Sequence, residues 1–253
     1  MRKIQILLLI IIIPLTASAQ DTRIVEITAQ EILARVDDVM AYPSGKLEGK
    51  LMHIFPDGRS VTRDILGYID KDNSLFTFSS SSRGNEIRVL YNLQGEDIWV
   101  YNLHSLKLFH KADVDRYDRV FDSNYSFIDI SNADLQSNYT GSILRKTTYK
   151  GSEVVILSLT PIFKNGLYGK LTLYVTASNY LPLRIDYHDN DMAILKTLSF
   201  TKMSTFEKRH FPVRYDMLHI SSGTLSIIEF TDYDKKVTFP LSTFRHENMS
   251  SVK

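Results

Sequence analysis

The chain has 253 residues, 30 Lys and Arg against 29 Asp and Glu, a formal charge of +1, and no cysteine. That arithmetic excludes a disulfide-stapled scaffold, a cysteine nucleophile, a thiolate metal site and an acylated cysteine anchor. With 43 % hydrophobic residues the chain is too apolar for disorder, and its near-zero charge argues against a nucleic-acid partner. A body of this length buries roughly 70–75 % of its unfolded surface, so it needs no staple or metal to fold.

The first residues read as an address. Arg2 and Lys3 make a basic start, Ile6 to Ile13 is an unbroken apolar run, and Ala17-x-Ala19 offers the small residues that signal peptidase cuts after. The run is far short of the about 20 residues of a spanning helix, so residues 1–19 are expected to be a cleaved signal peptide. Removing Arg2 and Lys3 with the leader takes the formal charge from +1 to −1. The expected product, residues 20–253, is one domain, exported, soluble in the periplasm and without a lipid anchor. An outer-membrane barrel fits poorly, since charges such as Lys46, Glu48 and Lys50 interrupt the strands where a lipid-facing band is apolar.

Residues 28–41 open with a Thr-x-x-Glu capping box, and Ile32, Leu33, Val36, Val39 and Met40 recur at helical spacing. Pro43 and Gly45 stop this helix. From Lys46 the period drops to two. Strands are expected over about 46–55, 60–70, 74–79, 86–93, 96–102 and 106–110, joined by short polar turns that imply antiparallel hairpins. Residues 112–139 break the pattern, with six aspartates and sparse apolar residues, and read as a loop with one or two short helices around 125–136. Strands resume at about 142–149, 153–160, 168–176, 181–188, 193–203, 212–220 and 224–233. The tail from Leu241 to Lys253 is polar and expected to fray.

So many antiparallel strands cannot stay flat, and a sheet that curls without closing leaves a concave face needing a cover. The expected class is mainly β with a helical lid (α+β), an unclosed half-barrel whose N-terminal helix and central helical insertion cover that face. An apolar concave face under a partial lid is either a hydrophobic-ligand cavity or ordinary core around the helix.

Three stretches carry a family resemblance: Gly169-Lys170-Leu171-Thr172-Leu173-Tyr174-Val175, then Tyr180-Leu181-Pro182-Leu183-Arg184-Ile185-Asp186-Tyr187-His188-Asp189, then Lys196-Thr197-Leu198-Ser199-Phe200. With Trp99-Val100-Tyr101 and Tyr125-Ser126-Phe127-Ile128-Asp129-Ile130 upstream, the chain resembles the outer-membrane lipoprotein-sorting (LolA-like) family over most of residues 28–235. The resemblance implies a non-enzymatic carrier that takes the acyl chains of lipoproteins or lipids into its apolar interior. It also implies an inner-membrane transporter as donor, an outer-membrane acceptor and a monomeric carrier. This chain departs from the better-known carriers in its length and in its larger central insertion.

The expected cavity residues are Ile32, Val36 and Met40 on the helix, with Val89, Tyr91, Trp99, Tyr101, Leu171, Leu173, Leu183, Ile185, Leu198 and Phe200 on strands. Alternation leaves open which strand face points inward, because a one-residue change of register exchanges the faces. No catalytic residue, metal site or cofactor is expected. His188, Asp189 and Asp191 sit on one turn with no second histidine nearby. Ser199 and Lys202 have serine–lysine spacing but fall on opposite faces of a strand, and Gly-x-Ser-x-Gly, His-Glu-x-x-His and phosphate-loop motifs do not occur. The alternative to a carrier is a half-barrel sensor or binding module regulating a membrane transporter or signalling partner.

Overall fold

The computed structural model describes residues 27–80, 86–131, 134–163, 166–206 and 209–251. The signal peptide expected at 1–19 and part of the turn expected at 80–84 lie outside them.

Helix α1 spans Ala29–Met40. Its first turn is closed by the capping box: Thr28 Oγ1 accepts from the Glu31 backbone N–H at 3.2 Å, and Glu31 Oε2 accepts from the Thr28 backbone N–H at 2.7 Å. The strands follow as β1 Gly45–Ile54, β2 Ser60–Asp70, β3 Asn73–Ser79, β4 Ile87–Asn92, β5 Asp97–Asn102 and β6 Lys107–Lys111. Short helices α2, Phe127–Ile130, and α3, Leu135–Asn138, occupy the central interruption. The second half comprises β7 Tyr139–Tyr149, β8 Ser152–Pro161, β9 Lys170–Thr176, β10 Pro182–His188, β11 Ile194–Phe206, β12 Arg209–His219 and β13 Leu225–Asp234.

The thirteen strands of the described residues form one antiparallel sheet in the order β6-β5-β4-β3-β2-β1-β13-β12-β11-β10-β9-β8-β7. The two halves of the chain meet where β1 pairs with β13, and the sheet ends at β6 and β7 without closing. Laid flat, it would be about 58 Å wide at about 4.8 Å per strand. A twelve-residue helix is only about 18 Å long, yet α1 touches both β7 and β12, and a single apolar cluster runs from Ile98 on β5 through Leu47 on β1 to Val155 on β8. The sheet therefore curls around α1 and the central segment, which fill its concave side as an α+β half-barrel.

Ile32, Leu33 and Val36 are fully buried in that cluster. Gly141 on β7 permits the close approach, since a Cβ there would come within 3.2 Å of Ala29 and Leu33. The Gln30 side chain ties the helix to the same strand, its Oε1 accepting from the Gly141 N–H at 2.9 Å.

The tail departs from expectation. Turns of 3-10 helix at Leu241–Phe244 and His246–Asn248 lay Phe244 and Met249 onto the opposite, convex face against Leu75, Leu90 and Trp99. Met249 is fully buried, and the Arg88 guanidinium donates to its carbonyl. Two apolar residues in a polar tail give no periodic signal, but they complete a patch that β3, β4 and β5 leave open.

Candidate functional site

A cavity of about 150 Å³ lies between the concave face and its cover. Its walls are mostly apolar and aromatic: Leu47 and Ile69, Phe76 and Tyr91, Leu198, Ile228 and Phe230, with Met40 from α1. The Phe76 ring stands over Gly67, where any Cβ would collide with it, and packs against Phe230 and Tyr91 with centroids 6.4 and 6.1 Å apart. The mouth is polar, formed by Lys71, Asp72 and Asn73 of the β2–β3 turn and Gln94 of the β4–β5 turn.

Tyrosines set the polar points of the interior. Burial raises the Tyr42, Tyr91 and Tyr125 phenols well above their ordinary range, so each stays neutral and can donate a hydrogen bond. Tyr42 donates to the Pro212 carbonyl, and Tyr125 to the Tyr215 carbonyl at 2.7 Å. The fully buried Tyr91 hydroxyl has no hydrogen-bond partner among the described residues, although Tyr91 lines the cavity. An unpaired buried hydroxyl costs about 1–3 kcal/mol.

A second, more polar cavity of about 70 Å³ is lined by Arg116, Tyr117, Phe163, Tyr168, Leu171 and Tyr187 among others, and shares Gln94, Asp129 and Ser131 with the first. Helix α2 is the partition between the two. A buried polar network fastens it. Asp129 Oδ2 accepts from Lys196 Nζ at 2.5 Å and from the Ser126 N–H and hydroxyl at 2.7 Å each, while Oδ1 accepts from the Tyr168 hydroxyl at 2.8 Å. Both side chains of the ion pair are buried, and the ammonium also donates to the Asn124 carbonyl at 3.1 Å and lies 5.1 Å from the Tyr168 ring centre. Asn124 extends the network, donating to the Met217 and Thr224 carbonyls at 2.8 Å. Its backbone N–H donates to Ser226 Oγ, which also bonds the His53 ring. Burial holds His53 below the ordinary imidazole range, favouring the neutral ring.

The family model described as "Uncharacterized protein" matches residues 70–251. The chain belongs to that family. No curated protein matches it. Among solved structures, it superposes on a Vibrio parahaemolyticus domain named for outer membrane lipoprotein sorting with a TM-score of 0.78 at 16 % identity, covering 88 % of this chain and 98 % of that one. A DUF1329 family protein of Desulfovibrio piger gives 0.77 at 21 %, covering 87 % and 97 %. A LolA superfamily protein of Nitrosomonas europaea gives 0.74 at 21 %, covering 87 % and 98 %. At these identities the likeness establishes the fold alone, the unclosed half-barrel that these three structures share.

Within that half-barrel the residues expected at the cavity separate into groups. Met40, Tyr91 and Leu198 line the larger cavity, and Leu171 lines the smaller one. Ile32, Val36, Val89, Leu173, Ile185 and Phe200 lie in the same concave-side cluster, packed as core. Leu183 sits at a bulge between Pro182 and Arg184 and is only half-buried. Trp99 and Tyr101 belong to the convex face, because Trp99 pairs with Leu90 and Tyr101 with Arg88, one step out of phase with Val89 and Tyr91. Trp99 is sandwiched there between His110 and His246, with ring centroids 4.4 and 4.1 Å away. Sequence reasoning missed Phe76, Tyr125, Ile228, Phe230 and the Asp129–Lys196 pair. For the strand residues the alternation was a usable signal; for the ion pair, 67 positions apart in the chain, there was none.

Of the side chains set aside as chemistry, the His188 ring bonds the Thr172 hydroxyl at 3.0 Å and the Met192 carbonyl at 3.1 Å. Asp189 accepts from the Asp191 and Ala193 N–H groups of its own turn. Lys202 bonds Glu229 at 2.9 Å. No described helix is long and apolar enough to cross a membrane.

Proposed function

We propose that this protein is an exported, non-enzymatic carrier whose chamber takes the acyl chains of lipoproteins or lipids across the periplasm, as one domain of residues 20–253 freed from its leader. The observation that carries this reading is the aromatic-walled cavity containing the unpartnered Tyr91 hydroxyl: apolar walls suit methylenes, and a buried donor suits an ester or amide carbonyl at the head of the chain. The driving force is about 0.8 kcal/mol per buried methylene. A cavity of about 150 Å³ admits a group the size of benzene, so a full chain enters only when α2 gives way and the two cavities join. Buried tyrosines, Met40 and Leu198 form the holding surface, with the other concave-side residues as its support. The name of the Vibrio parahaemolyticus neighbour, an outer membrane lipoprotein-sorting protein domain, supports a role in lipoprotein sorting; an inner-membrane donor, an outer-membrane acceptor and a monomeric carrier complete the proposal.

Native mass spectrometry of the processed protein, purified without detergent and then offered a lipid mixture, tests the reading. The expected result is a one-to-one complex with an acylated ligand that Tyr91→Phe weakens. A protein that never takes up an acylated ligand would sink it.

A further inference from the structure

The links β8–β9, β10–β11 and β12–β13, residues 162–169, 189–193 and 220–224, all lie at one end of the sheet, as the pairs His188↔Lys170, His188↔Ile194, Lys196↔His219 and Leu218↔Leu225 require. Each link displays large apolar side chains to solvent: Ile162, Phe163 and Leu167 on the first at 58, 57 and 47 % exposure, Met192 on the second at 54 %, Ile220 on the third at 47 %. At the opposite end of the same strands, the links 150–151 and 177–181 expose no large apolar residue among the described residues. Isolated exposed apolar side chains are ordinary, and others occur elsewhere on the molecule, but five gathered on the links of one rim point to an interaction surface.

We infer that this rim is a membrane-docking edge that seats in the interface of a lipid bilayer. Three features favour a bilayer over a protein. The side chains stand on three separate turns, with the small polar residues Asn190 and Ser221-Ser222 between them, the mixed apolar and small polar surface that suits a membrane interface. Among the described residues of the three links the charges are Asp189 and Asp191 alone, on one turn, so the rim lacks the basic charge that an acidic partner requires. The rim is also continuous with the interior: Phe163 lines the smaller cavity, and Asn124 of the cover is bonded to the Met217 and Thr224 carbonyls on either side of the Ile220 turn. Docking there brings the chamber's second opening to the lipid surface.

Flotation with neutral phosphatidylcholine vesicles, using the processed chain so that the apolar leader contributes nothing, tests the inference. The parent is expected to float with the vesicles at low and high salt alike. The variant Ile162→Ser/Phe163→Ser should lose at least tenfold in partitioning and Met192→Ser/Ile220→Ser several-fold. Leu241→Ser, more exposed than any of them but on the convex-face tail, should change nothing, with circular dichroism confirming that every variant is folded. Parent protein that ignores vesicles, binding that survives both rim variants, or binding only to anionic vesicles that salt abolishes would each overturn the proposal. So would a dimer in size-exclusion chromatography that the rim variants dissociate, which would assign the rim to a second copy. Uptake of a soluble fluorescent fatty acid is measured separately: its failure with flotation intact refutes the carrier reading alone, and the reverse result refutes the docking edge alone.

Discussion

The two halves of the cover are held in opposite ways. Helix α1 presents Ile32, Leu33 and Val36 to the concave face and is anchored chiefly by apolar burial, which has no preferred direction. Helix α2 is anchored by a directed buried network in which one carboxylate, Asp129, gathers four hydrogen bonds. Apolar contacts can slide and re-form around a guest, whereas a buried ion pair is either made or broken. The partition between the cavities is thus held by directed bonds centred on one carboxylate, and α1 by undirected burial.

The sharpest way to break that contrast is at the ion pair. Lys196→Met strands Asp129 as a buried unpaired charge and should cost about 3–5 kcal/mol in urea unfolding, while Lys196→Met combined with Asp129→Leu should recover much of the loss. If the single and double variants were equally unstable, the pair would not be a latch. The corresponding test on α1, Leu33→Ala, removes a fully buried side chain and should cost about 3 kcal/mol in the same unfolding measurement. A loss below about 1 kcal/mol would mean that the helix is not seated by burial. Thr28→Ala removes the capping box and should cost about 1 kcal/mol, a change readable in the same unfolding curves. Should it cost nothing, the first turn of α1 is held by tertiary contacts alone.

The smallest expected effect is in pH. Asp37 on α1 accepts from the Leu135 and Gln136 N–H groups at 2.9 and 2.8 Å, clipping α1 to α3, and burial raises its carboxyl to about 6, partly opposed by those bonds. A carboxyl raised in the fold above its ordinary value of 3.8 favours the folded state below that value, and this contribution fades as pH rises to about 6. Asp37→Asn should flatten the fall in Tm between pH 4 and 6 relative to the parent. Parallel curves for the two proteins would place the titration elsewhere. Asp37 is only half-buried, so solvent screening keeps the difference modest.

Much of the architecture was legible because it is local. The capping box at Thr28 and Glu31 located α1, and the change of period at Lys46 announced the strands. Turn residues such as Asp57-Gly58 and Asp189-Asn190-Asp191 separated them to within a few positions of where they run. The site was legible only in part. Tyr91 and Trp99 look equivalent in a list of strand aromatics, yet one lines the cavity and the other is stacked between two histidines on the opposite face.

By itself, the sequence determined the helix-first plan, the thirteen strands and their antiparallel linkage, since capping, alternation and turn chemistry act over a few bonds. Only the tertiary structure decided which face of each strand is concave, that Met249 covers the convex patch, and that Asp129 meets Lys196. Those outcomes depend on register and on contacts between residues far apart in the chain. Burial there is won by whichever surfaces the curl of the sheet brings together, and no local pattern encodes that.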